Sequence, residues 1–166
     1  MNVVVVSDTS PLRALQHLGE TNLLPHFYRS VLVPPAVARE LLSPRGMGAP
    51  VDVTSLPFVT VQAPTDGARV QYFRRQLDPG ESEAIALAIE VQAEALLIDE
   101  FQGRAAATAA GLKIIGVLGI LQRAKKEGLI DEVRSRMDRL RDDIQFFISD
   151  QLYEAVVRSA GEQTGT

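Results

Sequence analysis

Val3 to Leu12 reads V-V-V-V-S-D-T-S-P-L, and the order of residue types in it decides the fold. Four consecutive β-branched residues suit a strand buried on both faces, as parallel strands are. The run ends in polar Ser7, Asp8, Thr9 and Ser10, with Pro11 next. A serine cap followed by proline at the first helical position starts a helix, here predicted from Pro11 to about Leu18 and closed by Gly19. A buried strand feeding directly into a helix is the repeating unit of an α/β sheet. It also sets Asp8 near the carboxyl end of a strand, where open α/β sheets bind their ligands.

The alternation continues along the chain. Thr21 to Tyr28 predicts a helix interrupted at Pro25, and Val31 to Val33 a second strand. Pro34 and Pro35 open a helix to Leu42 with Val37, Leu41 and Ala38 facing inward. Ser43 to Pro57 contains Pro44, Gly46, Gly48, Pro50 and Pro57, so many breakers that a mobile surface loop is expected. Phe58 to Val61 reads as a strand and Gly67 to Leu77 as a helix. Asp78, Pro79 and Glu81 supply a cap, a first-turn proline and a capping-box acid. The helix they start runs to Val91 with almost no polar residue on any side, so it must be buried all round. Leu96 to Ile98 is the next strand, followed by Asp99 and Glu100. A helix from Gly103 to Ala110, a strand at Lys113 to Ile115, and helices at Leu118 to Glu127 and Ile130 to Leu140 follow. Ile144 to Ile148 reads as extended and Gln151 to Arg158 as helical. The expectation is an α/β chain forming one three-layer α/β/α domain over residues 1–160, with a mostly parallel central sheet and a frayed tail at 161–166.

Composition narrows the chemistry. The chain has 166 residues, enough for one sizeable core, with 46% hydrophobic and 23% charged residues, the profile of a packed soluble domain. There is no cysteine, which removes disulfides, thiolate zinc sites, iron–sulfur clusters and cysteine nucleophiles. Apolar runs are broken by Glu90 and Glu94 before they reach the roughly 20 residues that span a bilayer. No basic region precedes Val3, so no secretory signal is read. A cytoplasmic protein without membrane contact is expected.

Seventeen basic and 21 acidic residues leave a net charge of −4, which argues against nucleic-acid binding by overall charge. The distribution is uneven. Asp78 to Gly103 holds seven acids and no Lys or Arg, whereas Arg104 to Arg141 holds nine bases against four acids. Arg134, Arg136, Arg139 and Arg141 read as the solvated face of an amphipathic helix. The acidic stretch reads as a cation trap.

Asp8 and Asp99 end the two strongest strand candidates, Glu83 heads the buried helix, and Glu40 lies on a helix that directly follows a strand. These carboxylates can converge. Two such charges about 5 Å apart repel by roughly 3 kcal/mol at an effective dielectric of 20, a penalty that a divalent cation removes. His17 and His26 are the only histidines, so an all-oxygen cluster favours Mg²⁺ or Mn²⁺ over zinc. The matching reaction class is metal-assisted phosphodiester hydrolysis, which needs no protein nucleophile. Neither a G-x-S-x-G elbow, nor a phosphate-binding G-x-x-x-x-G-K-[ST] loop, nor a dinucleotide fingerprint is present. Glu81 doubles as a capping residue and Glu100 as a neighbour of Asp99, so the third and fourth acids are each read as one of two positions.

Several segments together resemble the PIN-domain superfamily of metal-dependent ribonucleases: V-V-S-D-T-S-P-L at 5–12, A-V-A-R-E-L-L at 36–42, L-D-P-G-E-S-E-A-I-A-L-A at 77–88 and L-L-I-D-E-F-Q-G-R-A-A-A at 96–107. G-L-K-I-I-G-V-L-G-I-L at 111–121 and A-K-K-E-G-L-I at 124–130 are similar to a prokaryotic PIN-like branch. The resemblance implies a PIN-like fold and an Mg²⁺- or Mn²⁺-dependent endoribonuclease, with Asp8, Glu40, Glu83 and Asp99 as the metal-binding acids. Glu81 and Glu100 are the alternatives for the last two. Ser10 and Thr9 match the hydroxyl residues that hold water or the scissile phosphate. The family's toxin members imply an RNA substrate, a small antitoxin partner and a homodimer, for which the apolar face at Leu12, Leu15 and Leu18 could serve. The alternative is a PIN fold that binds nucleic acid or a partner without turnover, Arg104, Arg123, Lys125 and Lys126 contacting phosphates. A receiver-like phosphotransfer domain using Asp8 as nucleophile lacks the paired aspartates it needs.

Overall fold

Val5 and Val6 are both fully buried, yet they sit on opposite faces of β1 (Val4–Ser7) and belong to two separate cores. That split, forced by the two-residue period of a strand, makes three layers. The structure is a computed structural model and describes residues 3–43 and 48–163. Among these, five strands form one sheet in the order β3-β2-β1-β4-β5, where β2 is Ser30–Val33, β3 Val59–Val61, β4 Ala95–Leu97 and β5 Ile114–Ile115. Every pairing is parallel, with Val5 opposite Val31 on one side and Ala95 on the other.

One face carries α5 (Pro79–Glu90) and α6 (Phe101–Ala109), which bury Val6, Leu32, Leu96 and Ile98 together with Phe73 of α4 (Gly67–Arg74). The other carries α1 (Thr9–Leu18), α2 (Leu23–Phe27), α3 (Pro35–Leu42), α7 (Val117–Lys126), α8 (Arg134–Ile144) and α9 (Asp150–Ser159). As its composition requires, α5 is buried almost throughout, from Gly80 to Ser82 and Ala84 to Ala88. Asp78 caps it, Oδ1 accepting the Glu81 N–H at 2.8 Å. No helix among the described residues is long and apolar enough to cross a membrane.

The strand order reverses at β1. The chain moves outward through β2 and β3 and then returns to place β4 on the other side of β1. A crevice opens at such a switch point, at the carboxyl ends of the two central strands. Asp8 and Asp99 emerge there, and the Asp8 N–H donates to the Leu97 carbonyl at 2.9 Å.

Several boundaries differ from the sequence reading. The first helix starts at Thr9 with Asp8, not Ser10, in the cap position, so Pro11 falls in the first turn, where its missing N–H costs nothing. Pro25 does not interrupt α2 for the same reason. The segment expected as a mobile loop is anchored instead: Val51 and Val53 are buried in the larger core, the Val51 N–H bonds the Leu41 carbonyl, and Val53–Ser55 form a 3₁₀ turn capped by Asp52. Residues 44–47 of that segment lie outside the described residues. Ile130 and Val133 pack into the core ahead of α8, which begins only at Arg134 and runs through Ile144. The segment read as extended from Ile144 to Ile148 begins otherwise: Ile144 ends α8 and Gln145 turns the chain through a left-handed conformation. Leu12, Leu15 and Leu18 are no dimer face: all three lie in the core, where α1 packs against α3, α7 and α8.

Candidate active site

Asp8 is 3% exposed, an unusual place for a carboxylate, and no ion pair holds it among the described residues. Burial above all pushes its carboxyl up to about 7; the Thr9 N–H offsets part of this, and the charges of Asp78, Glu40 and Glu100 add to it. Each of those acids comes from a different piece of the fold. Glu40 reaches in from the last turn of α3, and its Oε2 lies so near Gly80 that a Cβ there would sit 2.8 Å away, with Asp78 Oδ1 at 3.6 Å. Glu100 stands in the cap position of α6, its side chain making no cap bond.

Glu81 completes this group. Its side chain is buried at the head of α5, and its Oε2 has no hydrogen-bond partner. Burial, a hydrogen bond to Asp78 and the charges of Asp78, Asp8 and Glu100 hold its carboxyl well above the ordinary range. The matching position on α6 is Gly103, where a Cβ would stand 2.6 Å from Glu81 Oε2 and from Ile98 Cδ1.

Asp99 forms the far edge. Oδ1 accepts the Val117 N–H at 3.0 Å, capping α7, while Oδ2 is buried without a partner. Burial raises its carboxyl to about 6, against the lowering effects of the Val117 N–H and Arg104. The Arg104 guanidinium donates to the Ile98 carbonyl at 2.8 Å. Thr9 Oγ1 is likewise buried and unpartnered, and Ser10 lines the cavity outside Asp99.

Glu83 stands apart. Its Oε1 accepts the Ala36 N–H at 3.2 Å, capping α3, and it is not among the charges acting on Asp8 or Glu81. The two residue steps from Glu81 to Glu83 rotate the side chain by about 200° around the helix, which carries Glu81 toward α6 and Glu83 toward α3. The signal that singles out Glu81 is the small residue in Q-G-R at 102–104, which leaves room for an inward side chain. The sequence reading passed over Asp78 as a neighbour of Asp8 as well, because its capping role explained it fully.

The basic candidates disperse. Arg104 lines the cavity beside Asp99. Arg123 pairs with Glu127 at 2.8 Å and stacks over Phe27 with its guanidinium 4.3 Å from the ring centre, Lys125 pairs with Glu162 at 2.8 Å, and Lys126 is exposed at the end of α7. The α8 arginines are a solvated face only in part, Arg139 being exposed and Arg134, Arg136 and Arg141 half-buried. Arg136 grips Glu20 and Asp131, Arg139 reaches the His17 carbonyl, Arg141 stacks over Tyr153, and Arg134 bonds the Gln163 carbonyl. His17 bonds Asp143 at 2.9 Å, and His26 is exposed on α2.

Chemically the cleft gathers hard oxygen donors, two of them buried carboxylate oxygens with no partner, which is the donor set that suits Mg²⁺ or Mn²⁺. No three acidic or histidine side chains among the described residues stand closely enough to hold an ion as they are. A comparison with curated proteins gave no match. A family model for PIN domains, DUF3368, matches residues 4–162. That span takes in every strand of the sheet and every acid of the cleft, and the chain belongs to the PIN-domain family.

Proposed function

We propose that this PIN domain is an Mg²⁺- or Mn²⁺-dependent endoribonuclease whose metal acids are Asp8, Glu40, Glu81 and Asp99, with Asp78 and Glu100 beside them. The observation that supports this is the burial of Asp8 at the switch point, where the charges of Asp78, Glu40 and Glu100, from three other elements, all raise its carboxyl. Buried carboxylates drawn together in this way oppose folding at neutral pH, and a bound cation relieves that repulsion. A divalent ion supplies charge neutralisation there and polarises both the scissile phosphate and the attacking water. The Thr9 hydroxyl, buried and unpartnered, is the donor set to orient that phosphate, with Ser10 at the cavity mouth. Arg104, anchored on the Ile98 carbonyl, lowers the Asp99 carboxyl by its charge and is the cation beside the cleft for the flanking phosphates.

A toxin role, held in check by a small antitoxin, belongs to the same proposal and rests on the family resemblance. Growth arrest on expression, relieved by Asp8→Asn, tests that part; a homodimer is tested by light scattering. The direct test is single-turnover cleavage of mixed RNA by wild type and Asp8→Asn. Loss of cleavage in EDTA and in the variant is expected, whereas equal activity in both proteins, or activity that survives EDTA, overturns the assignment. The second reading is a PIN fold that binds RNA without cutting it. It draws on the acids standing short of a closed three-donor arrangement, and salt-dependent binding with no metal-dependent cleavage selects it.

A further inference from the structure

Gly116 stands in the cap position of α7 with φ −94° and ψ 174°, an extended backbone that any residue adopts. Conformation therefore does not call for glycine there, unlike at Gly19, Gly111 and Gly128, whose φ values are positive. Serine, threonine, aspartate or asparagine is the favoured choice at a helix cap. The reason for glycine lies in its neighbours. A Cβ on Gly116 would stand 2.7 Å from Asp99 Oδ1 and 3.0 Å from an Arg104 guanidinium nitrogen, well inside the roughly 3.5–4.0 Å of an ordinary contact.

Both of those groups are already engaged. Asp99 Oδ1 accepts the Val117 N–H at 3.0 Å, so the acceptor that position 116 does not supply comes from the chain leaving β4. The same Arg104 nitrogen donates to the Ile98 carbonyl at 2.8 Å. The end of a strand, α6 and α7 thus meet at one point, and only a residue without a side chain lets them do so. The two oxygens of Asp99 have separate fates as a result. Oδ1 is held by α7, whereas Oδ2 is buried and has no partner among the described residues.

We infer that Gly116 is a positioning residue: by leaving that space it lets the start of α7 hold Asp99 by one oxygen and keeps the other oxygen for a divalent cation. The inference rests on the metal-dependent reading of the acid cleft and adds to it a residue that bears no ligand atom of its own. A side chain at position 116 must displace Asp99, Arg104 or both, and groups that orient a metal ligand set the affinity for the metal.

Gly119, one turn along α7 and lining the same cavity, supplies the control. Its Cβ would meet Ile115 Cγ2 at 3.3 Å and no atom of Asp99 or Arg104. Calorimetric titration of full-length wild type, Gly116→Ala, Gly116→Ser and Gly119→Ala with Mn²⁺, beside thermal unfolding of each in EDTA, tests the role. Gly116→Ser is the sharper variant, because its hydroxyl can cap α7 while it displaces Asp99. Both Gly116 variants should bind Mn²⁺ about ten- to a hundredfold more weakly. Gly116→Ser should still melt in EDTA as wild type does, and Gly119→Ala should bind Mn²⁺ as wild type does. Three results overturn the role: Mn²⁺ affinity unchanged in the Gly116 variants, an equal loss in Gly119→Ala, or a melting temperature in EDTA that falls in both Gly116 variants, which makes the glycine a requirement of the fold alone. Wild type that takes up no Mn²⁺ removes the metal reading itself. Mn²⁺ binding that position 116 does not affect removes this inference and leaves that reading standing.

Discussion

A Cβ placed on Gly103 would stand 2.6 Å from Glu81 Oε2, so α6 leaves a gap into which a buried acid of α5 projects. Gly103→Ala should then go against helix propensity, which favours Ala over Gly by about 1 kcal/mol. Both neighbours at that distance, Glu81 Oε2 and Ile98 Cδ1, would have to move. Destabilisation of about 1–3 kcal/mol is expected from the overpacking, together with weaker metal-dependent cleavage. Urea unfolding checks the sign: a stabilised variant would show that the gap is not needed.

Glu81 and Glu83 separate by the same logic. Glu83→Gln keeps an oxygen for the Ala36 N–H and should leave cleavage unchanged, while Glu83→Ala should cost about 1 kcal/mol as a lost helix cap. Glu81→Gln should lower cleavage by at least about tenfold to a hundredfold, the scale seen when groups around a metal are altered. The reverse pattern in single-turnover kinetics would return the third acid to Glu83.

That pair also marks how far the sequence could be read. Asp8 and Asp99 follow strand-like runs, and the link between strand ends and ligands holds across open α/β sheets, so their place was legible. The choice between positions 81 and 83 was not, since both fit a buried first turn and only the packing of α3 and α6 decides which way each points. The apolar stripe of Leu12, Leu15 and Leu18 was visible, but periodicity cannot say whether such a face meets the core or a partner. The arginines of α8 were read as solvated because their partners, Glu20 and Tyr153 among them, lie outside the helix itself. Val51 and Val53 were hidden among breakers although they anchor the segment.

The acid cleft sets a pH dependence. Asp8, held up to about 7, and Asp99, held up to about 6, bind their protons more tightly folded than unfolded. Their contribution is favourable below about pH 4 and is lost as pH rises through 6 to 7. In EDTA, stability should therefore decline from acid toward about pH 8. Asp8→Asn should recover up to about 4 kcal/mol there and nothing near pH 4, given 1.36 kcal/mol for each unit of displacement. Mg²⁺ should raise the melting temperature of wild type, more at about pH 8 than at pH 5. A melting temperature indifferent to Mg²⁺ at every pH would remove the cation from the cleft.

Glu162 gives the opposite sign at the other end of the chain. α8 begins behind Val133, which has no side chain able to cap it. Glu162, beyond α9, does so from a distance: its carboxylate accepts the Val133 and Arg134 N–H groups at 2.7 and 2.8 Å and the Lys125 ammonium at 2.8 Å. Burial raises its carboxyl, but Lys125 and the two N–H groups outweigh this and leave it below the ordinary value. Its contribution is therefore present above the unfolded value of 4.5 and is lost as pH falls below it. Glu162→Ala strands two donors and a cation and should cost about 1–3 kcal/mol at neutral pH. The gap from wild type should close under acid conditions, where Glu162 itself is protonated and its advantage over alanine at the two N–H groups and Lys125 is lost. If α9 is held by Val156 and Val157 alone, denaturation curves of the two proteins would coincide at pH 7, and the cap would carry no weight in the fold.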